Sequence, residues 1–74
     1  VEGAGRVAVL NDLGFFYKSQ GQFEKAIETR DAALKLAQRN GDSQGEIRAL
    51  SGIGEARLEL DKKQSAGQAE KASA

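Results

Sequence analysis

The sequence contains no histidine, cysteine, proline, methionine or tryptophan in 74 residues. Without histidine and cysteine, the usual general-base, nucleophile-base and zinc sites cannot be assembled. The serines have no base in their sequence context, and the glycine pairs lack the preceding strand that a phosphate-binding loop requires. We therefore predict that the protein is not an enzyme and that it holds no cofactor or metal ion.

An excess of charge of one sign is also missing, because eleven lysines and arginines balance eleven aspartates and glutamates. A neutral chain has no overall field that attracts nucleic acid or an anionic membrane. No stretch approaches the roughly 20 consecutive apolar residues of a membrane span. The sequence thus predicts neither nucleic-acid nor membrane partners, with the cytoplasm as the default location. Because the chain begins with Val1, we expect it to be a piece of a longer protein.

The residues that are plentiful favour helix, since Ala, Leu, Glu, Lys, Gln and Arg all have high helix propensity. In two stretches, residues recur at steps of three and four, which places them on one face of each helix. The first face comprises Val7, Leu10, Leu13, Gly14 and Tyr17. The second comprises Phe23, Ala26, Ile27, Arg30, Ala33, Leu34 and Ala37. Both faces are predicted to be buried, with the stem of Arg30 along the seam and its charged head in water.

Glycines divide the chain into helices. Gly21 and Gly41 can adopt positive φ at helix ends, so we predict helices over residues 6–20, 22–39 and 43–60. Asp42 or Ser43 is predicted to cap the third helix. Gly14 is expected to be a notch that faces Ala26 in the second helix. We expect the aromatic side chains of Phe16, Tyr17 and Phe23 to lie in the core.

One stretch carries a characteristic set of residues in order and spacing: Leu13-Gly14, Tyr17, Gly21, Phe23, Ala26-Ile27 and Ala33-Leu34. This pattern resembles the tetratricopeptide repeat, a helix-turn-helix unit of roughly 34 residues. The third helix repeats the first at an offset of 40 residues, as in the pairs Leu10 with Leu50 and Gly14 with Gly54. With a repeat length of about 40 residues, the sequence resembles the subclass of this family found in kinesin light chains, cell-polarity scaffolds and many bacterial regulators.

These observations predict an all-α fold of antiparallel helix-turn-helix repeats, forming a fragment of an α-solenoid in a single domain over residues 1–74. The first repeat covers residues 1–40, and residues 41–60 form the first helix of the second. In residues 61–74 the only hydrophobic side chains are alanines, whose burial releases little free energy. Two interpretations of this segment remain: a short, degenerate capping helix or a disordered tail.

The resemblance implies a protein-protein interaction scaffold that holds a peptide or partner protein on its concave helix face. The family pattern places nine positions on that face, among them Gly52 and Glu59. The seven predicted to bind the peptide are Asn11, Asp12, Phe15, Lys18, Arg48, Ser51 and Glu55. The amide of Asn11 could hydrogen-bond a peptide backbone, Phe15 could stack on an apolar side chain, and Arg48 could pair with a carboxylate. The alternative for each position is an ordinary solvent-facing helix residue.

A second function is a structural or assembly element with no peptide ligand. Each repeat buries its apolar face against the next, and roughly three repeats are usually needed for independent stability. The residues that would meet neighbouring repeats are Val9, Phe16, Leu58 and Leu60. Because this chain holds only about one and a half repeats, we expect these side chains to be partly exposed. This predicts stacking on flanking repeats or on a second copy of the chain as a homo-oligomer.

Overall fold

A computed structural model describes the backbone of residues 2–73 and the side chains of residues 5–67. It contains three helices, α1 (Glu2–Ser19), α2 (Phe23–Asn40) and α3 (Ser43–Ser73), and no strand within the described backbone. Short turns make α1 antiparallel to α2 and α2 antiparallel to α3, and α3 also contacts α1. The predicted all-α helix-turn-helix architecture is confirmed.

The two turns are built in the same way. Gly21 and Gly41 adopt φ angles of 77° and 67°, in the left-handed region. The residue after each glycine donates its backbone N–H back to the last turn of the preceding helix, at 2.9 Å from Gln22 to Tyr17 and 2.8 Å from Asp42 to Ala37. Each glycine N–H also bonds to the carbonyl three residues earlier. This bonding is that of a Schellman cap, so the predicted helix ends at both glycines are confirmed.

Of the two N-cap candidates for α3, the structure selects Asp42. Its Oδ1 accepts a hydrogen bond of 2.9 Å from the backbone N–H of Gly45, and its carbonyl accepts the N–H of Glu46 at 3.0 Å. Ser43 is already the first helical residue. The side chain of Asp42 therefore satisfies one of the backbone donors that a helix start leaves without a partner.

The third helix is longer than the sequence predicted. It continues without a turn from Ser43 to Ser73, for 31 residues, where we expected an end at Leu60 followed by a separate short helix or a disordered tail. Position 61, which corresponds to Gly21 at the 40-residue offset, is an aspartate, and no residue other than glycine has positive φ in the described chain. Because no residue here is left-handed and none is proline, nothing in the local sequence ends the helix. Lys63 lies beside the turn between α1 and α2, and the helix continues beyond it.

The helices pack through small residues. Val7 is the only large hydrophobic side chain among the described residues that is fully buried. The buried residues at the contacts between the helices form what we call the small-residue seam. Besides Val7 they are Asn11 and Gly14 on α1, Ala26, Ala33 and Ala37 on α2, and Gly45, Ala49, Gly52 and Ala56 on α3. Small side chains allow the helix backbones to approach closely, so the seam depends on the absence of bulk.

The buried face of α1 is rotated from the predicted one. Val7 and Gly14 are buried as expected, but Leu13 is 38% exposed, Leu10 and Tyr17 are half-buried, and Asn11 is buried instead. The cause is that α1 packs against α3 as well as α2, which centres its contact on the side that faces both helices. The predicted face of α2 is largely correct, because its three alanines are buried and its larger members are half-buried.

The prediction that Phe16 belongs to the core is wrong. Its side chain is 52% exposed, and its ring lies tilted against that of Tyr17 with the centroids 5.9 Å apart. Tyr17 and Phe23 are half-buried, and the Nζ atom of Lys25 lies 5.3 Å from the centre of the Tyr17 ring. About half of the Phe16 side chain is therefore left uncovered by the described chain.

Candidate functional site

A groove of about 330 Å³ lies between α1 and α3. It is lined by Asn11, Asp12, Phe15, Arg30, Ile47, Arg48, Ser51, Gly52 and Glu55. One wall comes from α1 and the other from α3, and Arg30 is the single contribution of α2. The packing of three helices therefore creates a concave surface that no two of them would form.

Six of the seven residues predicted from the sequence line this groove. The seventh, Lys18, lies at its edge, where its Nζ atom is 3.0 Å from Oε2 of Glu55. This ion pair links α1 to α3 at the surface, with the Glu55 side chain 59% exposed. The structure thus brings the predicted residues together, although grouping by itself leaves their binding role a prediction.

Asn11 has a different environment from the one predicted. It is only 4% exposed, rather than on an open helix face. Its Nδ2 donates to the carbonyl oxygen of Gly45 at 3.4 Å, and its Oδ1 accepts a hydrogen bond of 3.3 Å from Nη1 of Arg30. Both ends of the amide are thus used within the protein, so Asn11 forms part of the groove floor and ties the three helices together.

The side chain of Arg30 passes between two glycines on different helices. A Cβ atom added to Gly14 would lie 2.7 Å from Cγ and 2.8 Å from Cδ of Arg30, and one added to Gly52 would overlap the guanidinium. The predicted neighbour of Gly14 was Ala26, whereas the three atoms nearest to an added Cβ belong to Arg30, one helical turn further along α2. The glycines leave a slot that the long arginine stem fills.

The guanidinium of Arg30 ends in the groove. Its Nη1 donates to the carbonyl oxygen of Arg48 at 3.1 Å, in addition to Asn11. Burial lowers the pKa of Arg30, and the nearby carboxylates of Glu55 and Asp12 act in the opposite direction. Among the described residues, no carboxylate oxygen lies within 4.0 Å of this guanidinium.

Sequence reasoning missed Arg30 and Ile47 as members of the groove. Arg30 was placed on the seam with its head in water, and Ile47, which is 64% exposed, corresponds at the 40-residue offset to Val7, which is buried. One signal was available for Arg30: an arginine in an otherwise apolar stripe, in a chain whose neighbouring helices carry internal glycines. For Ile47 there was none, because its surroundings depend on how α3 is rotated.

The groove combines apolar and polar surface. The exposed side chains of Phe15, 61% accessible, and Ile47 provide apolar surface, while Asp12, Arg48 and Ser51 provide charged and hydrogen-bonding groups. Such a surface can bind a polypeptide, because it offers both a place to bury a side chain and groups that bond to a backbone. Within the described residues, no cluster of acidic side chains is placed to hold a metal ion.

Helices paired by short turns and stacked through a seam of small residues define a helical-hairpin repeat protein. The tetratricopeptide repeat family matches residues 5–73, and the chain belongs to that family. No curated protein and no solved structure gives a significant match. The family is a non-catalytic repeat scaffold that generally mediates protein-protein interaction. In the described part of the chain, no helix has both the length and the hydrophobicity needed to cross a membrane.

Proposed function

We propose that the groove between α1 and α3 binds a peptide segment of a partner protein. The observation that carries the proposal is the position of Phe15, whose ring is 61% exposed although it borders a concave surface. An aromatic ring gains from burial, and this one has no covering element in the described chain. A partner side chain seated against Phe15 and Ile47 would supply the missing contact.

Polar groups around this apolar patch support the same function. Ser51 and Asp12 are exposed at the groove and can bond to a peptide backbone, and Arg48 can pair with an acidic side chain. Asn11 acts indirectly, because its amide holds Arg30 and the start of α3 in place. The groove floor is therefore fixed before a ligand arrives, which lowers the entropy cost of binding.

The test uses two adjacent phenylalanines. Peptides are selected from a random display library against the 74-residue chain, and their affinities are then measured for the Phe15→Ala and Phe16→Ala variants. We expect Phe15→Ala to weaken binding about tenfold or more, as for an aromatic anchor, and Phe16→Ala to change it less than about twofold. Phe16 is the matched control, since it is 52% exposed but lies outside the groove. Equal losses in both variants would contradict a binding site in the groove.

A second function is supported by the exposed hydrophobic residues at the two ends of the stack. On α1, Val9 is 65% exposed and Phe16 52%, and these two residues form the N-end face. On α3, Leu50 is 54% exposed and Leu58 56%, and these two form the C-end face. Exposed apolar side chains that share one helix face mark an interaction surface, so we propose stacking of the N-end face of one copy on the C-end face of another.

The forty-residue offset explains why these faces are open. Val9 and Phe16 correspond to Ala49 and Ala56, which are fully buried where α3 packs against the other helices. Conversely, the buried Gly14 corresponds to Gly54, where an added Cβ would meet no side-chain or distant backbone atom within 4 Å. The counterparts of the N-end face are therefore fully buried, and those of Leu50 and Leu58 in the C-end face, Leu10 and Lys18, are half-buried. The same correspondence supports a place in the roughly 40-residue subclass of the family.

Self-association is tested by sedimentation velocity over a range of protein concentrations. We expect the average mass to rise with concentration, and Leu58→Ser to return the protein to monomer because it puts a hydroxyl on the C-end face. Arg57→Ser, an exposed neighbouring position, is the control and should leave association unchanged. A monomer at every concentration would contradict stacking, without bearing on the peptide groove.

A further inference from the structure

Arg30 is held in one orientation by its surroundings. Its stem and Nε lie against Gly14, and Cδ, Nε and Cζ lie against Gly52 from the other side. Its Nη1 is bonded to Asn11 Oδ1 at 3.3 Å and to the Arg48 carbonyl at 3.1 Å. A side chain with four flexible bonds has thus lost most of its rotamers in the folded protein, so a ligand that binds the guanidinium does not have to order it.

The guanidinium has donors to spare. It carries five N–H groups, and the hydrogen bonds that it makes within the described residues all come from Nη1. The N–H groups of Nη2 have no acceptor among those residues, and Arg30 lines the groove. The protein therefore binds the Nη1 side of the planar guanidinium and leaves the N–H donors of Nη2 for a ligand.

The charge of Arg30 also lacks an ion-pair partner within the described chain. Glu55 is engaged by Lys18 at 3.0 Å, and neither it nor Asp12 comes within 4.0 Å of the guanidinium. Burial between the helices removes part of the hydration of this charge, which lowers the pKa of the group. A half-buried cation with no close anion gains from a carboxylate that makes charge-assisted hydrogen bonds.

We propose that Arg30 is the recognition point for an acidic side chain, aspartate or glutamate, in the peptide that the groove binds. This inference rests on the proposed function of the groove and adds the chemical class of the ligand. Arg48, exposed on the same surface, lies where it can contact the same carboxylate or the next one. Recognition by Arg30 is a property of all three helices, since α2 supplies the arginine, and α1 and α3 supply the glycines on either side of it.

The neighbouring carboxylates select the kind of anion. Asp12 and Glu55 lie close enough to raise the pKa of Arg30, so an anion entering the groove meets two negative groups as well as the cations. Attraction and repulsion both scale with the charge of the ligand, so the net charge of the groove decides how much anionic charge it can neutralise. The net charge of the groove, counting Lys18 at its edge, is +3 from Lys18, Arg30 and Arg48 and −2 from Asp12 and Glu55, which is +1. One bound carboxylate would bring this net charge to zero, whereas a dianionic phosphate would make it negative.

The test uses two capped pentapeptides that differ in one group: a glutamate between alanines, and a glutamine in its place. Each is titrated into the ¹⁵N-labelled 74-residue chain while the Nε–H signal of Arg30 and the Nδ2 signals of Asn11 are followed by NMR. The glutamate peptide is expected to shift these signals, with an affinity about tenfold higher than that of the glutamine peptide. Equal shifts with both peptides overturn the proposal.

Two variants locate the effect. Arg30→Lys keeps the charge but loses the planar fork, so it should abolish the preference for glutamate, whereas Arg57→Gln, at an exposed position outside the groove, should retain it. Loss of the preference in Arg57→Gln overturns the assignment to Arg30. If Arg30→Lys does not fold, the comparison of the two peptides on the unaltered chain still decides the question.

Sodium acetate and inorganic phosphate at equal ionic strength separate the two kinds of anion. Acetate is expected to displace the glutamate peptide at a lower concentration than phosphate, and the reverse order overturns the choice of a carboxylate. The outcome is also distinct from failure of the groove function. Peptides that bind through Phe15 without any acidic residue would leave the groove function standing and remove this inference. Glutamate binding at Arg30, without any peptide whose affinity depends on Phe15, would keep the carboxylate site and remove the proposed role of Phe15.

Discussion

Replacing Ala33 by leucine is expected to lower the free energy of unfolding by about 3 kcal/mol or more. Ala33 is 0% exposed and lies on α2, the helix that is packed between α1 and α3. A leucine there adds three carbon atoms to a seam in which small residues set the distance between helices. The added volume can be accommodated only by separating helices or by forcing side chains out of their rotamers.

Ala32→Leu provides the control. Ala32 is the preceding residue in the same helix and is exposed. Alanine and leucine have similar helix propensities, so the change at Ala32 is expected to alter stability by less than about 0.5 kcal/mol. Both free energies are measured by urea unfolding followed by far-UV circular dichroism. Similar effects of the two substitutions would show that the seam is not closely packed.

The loss at Ala33 would be large for this chain. A typical stability of about 0.05–0.15 kcal/mol per residue corresponds to roughly 4–11 kcal/mol for 74 residues. Because the described core contains one large, fully buried hydrophobic residue, Val7, we expect a value near the lower limit. The Ala33→Leu variant is therefore expected to be largely unfolded at moderate temperature, while Ala32→Leu remains folded.

The second large effect is expected for Gly14→Ala, whose effect on the free energy of unfolding should reverse its sign when Arg30 is removed. In the natural chain Gly14→Ala is expected to destabilise by about 1–3 kcal/mol, because the new Cβ would meet Cγ and Cδ of Arg30 at 2.7 and 2.8 Å. The arginine stem has little room to move away, since Gly52 on α3 borders its other side. The gain of up to about 1 kcal/mol in helix propensity is smaller than this cost.

In the Arg30→Ala background the same substitution is expected to stabilise by up to about 1 kcal/mol. The atoms nearest to the added Cβ all belong to the Arg30 side chain, and removing it leaves the helix propensity as the main term. A double-mutant cycle measured by urea unfolding gives the coupling between the two positions. A coupling near zero would contradict the slot between the glycines.

Gly54→Ala is the matched control for Gly14. It is a glycine inside a helix of the same chain, and its added Cβ would meet no other atom within 4 Å apart from the local helix. We expect it to stabilise by about 0.5–1 kcal/mol with or without Arg30. If Gly54→Ala is destabilising, the cost at Gly14 cannot be assigned to its contact with Arg30.

Much of the groove could be predicted from the sequence, because the family pattern fixes which residues share the inner side of successive helices. Six of the seven predicted residues do line one concave surface. The pattern could not predict that Asn11 is buried, because an asparagine on a helix surface and one between helices have the same spacing. It also could not place Arg30 in the groove, because an arginine in an apolar stripe is a signal that does not show which residues of α1 and α3 the side chain contacts.

The sequence by itself determined the helices and the turns. Helix propensity and three-to-four residue periodicity are local properties, and Gly21 and Gly41 provide the left-handed residues that end α1 and α2. The same local logic extends α3 through position 61, where an aspartate replaces the glycine, although we predicted a break there. Local chemistry is sufficient for these features because each depends on residues within one or two helical turns.

Only the tertiary structure decided which sides of the helices are buried and what the groove contains. The face of α1 is set by simultaneous contact with α2 and α3, which leaves Phe16 exposed and Asn11 enclosed. The position of Arg30 depends on Gly14 and Gly52, which are 38 residues apart in the chain and approach each other only when the three helices stack. Such contacts have no periodicity of their own, so the arginine in an otherwise apolar stripe could indicate a special role but not which residues it contacts.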